Sequence, residues 1–198
     1  MIPWTDSVKQ SGKLTVHIGA LTGSWGHVVR EALHEFNTLS SANKLGVKMV
    51  ESKDGPDKAN IVVQTARGPI SATYDQETRK EDFSANRLHG RTMPFFRDPP
   101  HEIEKVFTFL PSQPLLSAPG GWRPAGPGVL KVIAVHELVH ACGLEDSDHG
   151  SNLFQGSPGY YPGDTPAGDK ITIKGSSQRM PPLLLDGATV GKIKELWS

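Results

Sequence analysis

The chain has 198 residues, with 21 Lys and Arg set against 21 Asp and Glu, so its formal charge is zero. This length can bury a genuine core as one domain, and the absence of a basic excess argues against a nucleic-acid partner. A single cysteine, Cys142, rules out an internal disulfide, and no run approaches the ~18 apolar residues of a membrane span.

Met1 to Leu14 lacks the apolar segment of a signal peptide. The expected location is therefore the cytoplasm, or a compartment reached without a signal peptide. Leu14–Gly19 alternates like a strand, and Trp25–Leu39 carries Val28, Val29, Ala32, Leu33 and Phe36 at helical spacing. Val47–Val50 and Asn60–Gln64 read as two short strands, giving the order β-α-β-β and a mixed sheet with a helix packed on it. The pattern weakens from Gly68 to Pro100. Leu88–Phe96 is a candidate strand that Pro94 restricts to a sheet edge. Glu102–Leu110 reads as a further strand through Ile103, Val106, Phe107 and Phe109, with a slip at Lys105.

Pro111–Gly128 holds five prolines and four glycines and is expected to be a loop within the domain. Val129–Cys142 follows as a helix apolar on nearly every face, hence buried, with Gly143 as its stop signal. Gly150–Pro182 has few periodic apolar positions and is expected to be irregular. Ala188–Trp197 is a closing helix with Asp186 as its N-cap.

The chemistry concentrates in Val135–His140. Residues four apart share a helix face, so His136 and His140 present two imidazoles to one ion. Glu137 is rotated by roughly 100°, within reach of a water at that ion but outside its ligand set. Two histidines and a glutamate are costly to bury on so apolar a helix, and one Zn²⁺ would account for all three. The carboxylate would serve as general base for water attacking a carbonyl.

The run His136-Glu137-Leu138-Val139-His140-Ala141-Cys142-Gly143 resembles the metzincin clan of zinc metallopeptidases, whose motif is H-E-x-x-H-x-x-G. In that clan the glycine turns the chain towards a third ligand three residues on, a position held here by Asp146 where histidine is usual. Snapalysin-like members use aspartate there. His149, three residues further, is the commoner kind of zinc ligand. The reading leans to His149, with Asp146 as the alternative. The order Met180-Pro181-Pro182 followed by a last helix resembles the clan's Met-turn, with Met180 as an apolar floor beneath the metal.

The layout is closest to matrixin-like and snapalysin-like members. It implies an α+β fold: an α/β/α-like upper lobe (to about residue 143) with a mixed twisted sheet, two packed helices and the zinc helix beneath. An irregular lower lobe (from about 144) would end in the C-terminal helix, the whole chain forming one catalytic domain. The resemblance also implies that Leu88–Phe96 pairs with extended substrate backbone. A tyrosine just after the Met-turn stabilises the oxyanion in some members. Pro181 and Pro182 stand there instead, which leaves Tyr160 or Tyr161 as a minor candidate.

Cys142 points off the ligand face and reads as a small buried apolar residue. His17, His27, His34, His89 and His101 show no ligand spacing, and Asp164 with Asp169 falls short of a calcium cage. The expected activity is a zinc endopeptidase acting on a peptide or protein substrate, with Glu137 as base and Gly150–Pro182 walling the specificity pocket. Neither nucleic acid nor membrane is expected as a partner, and a protein inhibitor is one way the activity would be restrained. The alternatives are a non-catalytic zinc-binding module and an amide hydrolase acting on cell-wall peptide.

Overall fold

The first alternating segment forms strand β1 (Lys13–Ala20), which buries Leu14, Val16 and Ile18. The chain then runs into helix α2 (Trp25–Asn43), whose buried stripe is the one read from its spacing, Val28, Val29, Ala32, Leu33 and Phe36. The computed structural model describes residues 1–118, 121–149, 161–165, 168–173, 176–179 and 183–198.

Strands β2 (Lys48–Glu51), β3 (Ile61–Ala66), β6 (Arg91–Arg97) and β7 (Glu102–Pro111) join β1 in a five-stranded sheet of order β2-β1-β3-β7-β6. All neighbours are parallel except β6, which lies antiparallel to β7 at one edge. Pro94 sits in that edge strand, where its missing N–H breaks no ladder on the far side. The slip at Lys105 is a real feature. The β6–β7 register shifts between Phe95 and Phe96, which pair with Lys105 and Ile103. The extra residue, Glu104, lets both Ile103 and Val106 enter the main core, while Lys105 lies on the opposite face beside Tyr74 and Phe107. The buried Lys105 ammonium donates to the carbonyls of Pro56, Asp57 and Ala59, so its charge fixes the loop ahead of β3.

Helix α3 (Pro127–His140) packs along α2 and against β6 and β7, closing the main core over Leu130, Ile133, Ala134 and Leu138. Pro127 stands in its first turn, where a lost N–H costs nothing. The protein is thus an α+β fold with a mixed sheet, as its sequence implied.

Elsewhere the chain is more regular than its sequence suggested. A short helix α1 (Asp6–Ser11) precedes β1, and β4 (Ile70–Tyr74) and β5 (Glu77–Glu81) form a hairpin in the stretch of weak pattern. That hairpin closes a second, smaller core of Ile70, Ala72, Phe83, Met93, Phe95 and Phe109. The expected loop at Pro111–Gly128 contains the hairpin of β8 (Leu115–Ala118) and β9 (Gly121–Pro124). Gly150–Pro182, expected to be irregular, contains the antiparallel sheet of β10 (Tyr161–Thr165), β11 (Gly168–Ile173) and β12 (Ser176–Arg179). Strands β10 and β12 are short and hold mostly Gly, Pro, Ser and other polar residues, and Ile171 and Ile173 in β11 are too short an alternation to announce a strand.

Helix α4 (Gly187–Trp197) is capped by Asp186, whose carboxylate accepts from the N–H groups of Ala188 (2.8 Å) and Thr189 (3.1 Å).

The turn that ends α3 is held from both ends of the chain. The indole of Trp4 donates to Ala141 O at 2.8 Å, that of Trp197 to Cys142 O at 3.0 Å, and the Ile2 N–H to Gly143 O at 2.9 Å. These donors satisfy the carbonyls of the turn itself, while those of Glu137, Val139 and His140 in the last helical turn accept from the N–H groups of Ala141, Cys142 and Gly143. Gly143 has φ +110°, and a Cβ there would lie 2.2 Å from Ile2 O. Gly143→Ala should therefore lower the unfolding free energy by at least about 2 kcal/mol. Denaturant unfolding checks this; an unchanged midpoint would contradict the constraint.

Candidate metal centre

Helix α3 delivers His136 half-buried and Glu137 and His140 buried, on the faces expected from their spacing. The Nε2 atoms of His136 and His140 are 3.0 Å apart. After the turn at Gly143 the chain makes one 3-10 turn (Asp146–Asp148), closed by a reciprocal pair between Glu145 and Asp148. Asp148 Oδ2 accepts from the Glu145 N–H at 2.9 Å. This turn takes up the three extra residues and returns the chain in extended form at His149 (φ −129°, ψ 155°). His149 Nε2 then lies 3.2 Å from His140 Nε2.

The three histidines bring one nitrogen each to a common point, all within 4.8 Å of one another. Nitrogens bound to one tetrahedral zinc at 2.0–2.1 Å would be roughly 3.3 Å apart, close to the two short spacings here. The tautomer of the middle ligand also fits. His140 Nδ1 lies 2.9 Å from Leu144 O, a pure acceptor, so Nδ1 carries the hydrogen and Nε2 keeps its lone pair for the shared point. Burial, reinforced by the neighbouring His140 and His149, pushes the pKa of His136 down to about 3. Burial lowers that of His140 as well. Both rings are held neutral, the form that binds a metal. Residues His136, His140 and His149 could therefore hold a metal ion.

Asp146, the alternative ligand, stands beside this group. Its Oδ1 is 3.5 Å from His140 Nε2, while its Oδ2 accepts from Arg91 at 3.2 Å. Arg91 in turn donates to Glu81 Oε2 at 2.7 Å, so the guanidinium anchors the aspartate to the edge strand. Met180, Tyr160, Pro181 and Pro182 lie outside the described residues. Tyr161 begins β10.

Glu137 is 3 % exposed, and burial pushes its pKa up to about 7. The Thr92 hydroxyl, which donates to Glu137 Oε2 at 2.7 Å, opposes that rise, as does the Gly90 N–H. A group with a pKa near neutrality is suited to taking up and releasing a proton. Arg87 and residues 89–92 join α3 and the Gly143–Asp146 turn around a cavity of about 580 Å³. His89 belongs to this wall although its sequence spacing gave no sign of it. Burial and the nearby Arg87 lower its pKa. Thr92 and Arg91 had no signal either, because only strand pairing brings them over the helix. Cys142 is fully buried and its thiol pKa is raised by burial, as expected of an inert packing residue.

The shifts fix how metal-free stability depends on pH. His136 falls from 6.5 unfolded to about 3 folded, so its contribution is complete above 6.5 and is lost as pH falls through 3. Glu137 rises from 4.5 to about 7, so its contribution is complete below 4.5 and is lost as pH rises through 7. The stability difference between wild type and His136→Gln should shrink from pH 6.5 towards 3, and that for Glu137→Gln from pH 4.5 towards 7. Unfolding curves across pH check both, and flat differences would contradict the assignment. No protein-family model matches the chain, and no curated protein matches it in sequence.

Proposed function

We propose that the chain is a zinc-dependent endopeptidase of metzincin-like layout, a single catalytic domain whose two lobes meet at the three histidines. The observation that carries this reading is the convergence of His136, His140 and His149 beside a buried carboxylate that is not part of the group. Three imidazoles and an open cavity suit a catalytic zinc, whereas a structural zinc takes four protein ligands. Bound there, zinc supplies Lewis acidity towards a carbonyl and towards water.

The rest of the chemistry falls to the protein. Glu137 accepts a proton from the attacking water on its carboxylate and returns it to the departing amine nitrogen. Its raised pKa lets it serve in both roles near neutral pH. His136 and His140, kept neutral by burial before the ion arrives, need release no proton to bind it. The cavity beside them gives a peptide carbonyl room to approach, and among the described residues no strand pairs with the outer side of β6, which leaves that edge for an extended substrate. A structural zinc module would have no use for a buried, unliganded base, which favours the enzyme over a binding module.

The wild-type protein should bind one equivalent of zinc. His149→Ala should weaken binding by more than about 100-fold, and Asp146→Ala by less than about tenfold. Glu137→Gln should keep the zinc and lose about 10²- to 10⁴-fold in kcat on an unstructured protein substrate. Metal titration and a cleavage assay read these outcomes. Full zinc binding without His149, or undiminished cleavage without Glu137, would overturn the proposal.

A further inference from the structure

We infer that Thr92 is a positioning residue for the general base, its hydroxyl fixing Glu137 Oε2 so that the carboxylate meets the cavity in one orientation. This rests on the peptidase reading and adds a residue to it.

A carboxylate that is 3 % exposed has little water to orient it, so the protein must. Thr92 Oγ1 lies 2.7 Å from Glu137 Oε2 and 3.2 Å from the main-chain oxygen of the same residue. It contacts both ends of Glu137, and so constrains the side chain relative to its own helix. Being β-branched, Thr92 has a stiff χ1, and its hydroxyl is further located by Thr108 Oγ1 at 3.4 Å, itself buried in the neighbouring strand.

Gly90, just ahead of β6, also faces Glu137. A Cβ there would meet Glu137 Cγ at 2.6 Å and Cδ at 2.9 Å. The strand edge is therefore shaped to let the glutamate lie against it. Gly90 makes room and donates its N–H, and Thr92 supplies the directional hydroxyl. Charge-assisted bonds of this kind are the strong ones.

The test has two arms. In the metal-free protein, Thr92→Val should lower the thermal midpoint by about 4–8 °C when Glu137 is present. In a Glu137→Met background the same change should shift it by less than about 2 °C. Equal shifts in both backgrounds would overturn the inference, because Thr92 would then be acting on the fold and not on Glu137. In the zinc-loaded protein, Thr92→Val should lower kcat by about 10- to 100-fold with KM within about twofold, and Thr92→Ser should restore it to within about threefold. A Ser variant as slow as Val, or a loss confined to KM, would also overturn it. Should Thr92→Val fail to fold, Thr92→Ala takes its place in both arms with the same expected outcomes. Absence of any cleavage by the wild type would sink the peptidase reading, while the metal-free arm would still decide whether Thr92 holds Glu137.

Discussion

An apolar helix that buries two imidazoles and a carboxylate must find a partner for each, and the partners come from three separate parts of the chain. The helix cannot supply them, since its own backbone groups are committed and its neighbours are Leu, Ile, Val and Ala. Leu144 O takes the outer nitrogen of His140, and His149 comes back to the inner ones. Thr92 and Gly90 hold Glu137 from the strand opposite. The turn at Gly143 makes the first two possible, which is why it is fastened by two tryptophan indoles and the backbone of Ile2.

This arrangement divides labour between the two sides of the cavity. The side built from α3 and its following turn presents imidazole nitrogens, those of His136 and His140 held neutral by burial. The strand side presents hydrogen-bond donors that orient the one carboxylate not directed at them. Arg91 links the sides by holding Asp146 next to, and apart from, the imidazoles. Under the zinc reading, an extended peptide lying along the outer edge of β6 would pair with the strand that carries Thr92, so that binding and orientation of the base involve the same strand.

The sequence made legible what depends on local periodicity. Strand β1, helix α2, the edge position of β6 and the buried helix with its three polar residues follow from spacing and from Pro94. Even the bulge at Lys105 showed as a break in alternation. It concealed what pairing alone creates. In β4 the alternation is present, with Ile70 and Ala72 buried and Ser71 and Thr73 exposed, but it spans only five residues; β5, β9, β10 and β12 have little apolar rhythm, and backbone hydrogen bonds pair them. The same limit applies at the site. His136 and His140 announce themselves by an i, i+4 spacing, and His149 was a choice between two residues because a 3-10 turn does not show in composition. His89, Arg91 and Thr92 join the site only when β6 is laid beside α3, an event some 45 residues apart in sequence for Thr92 and Glu137.

Under the zinc reading, three imidazoles and no carboxylate form the protein's share of the metal shell. X-ray absorption at the zinc edge, or anomalous scattering from a zinc-loaded crystal, tests it directly. The expected result is one ion bonded to His136, His140 and His149 at about 2.0–2.1 Å, with Asp146 still paired to Arg91. An ion bonded to Asp146 in place of His149, or one lying away from the three imidazoles, would contradict it.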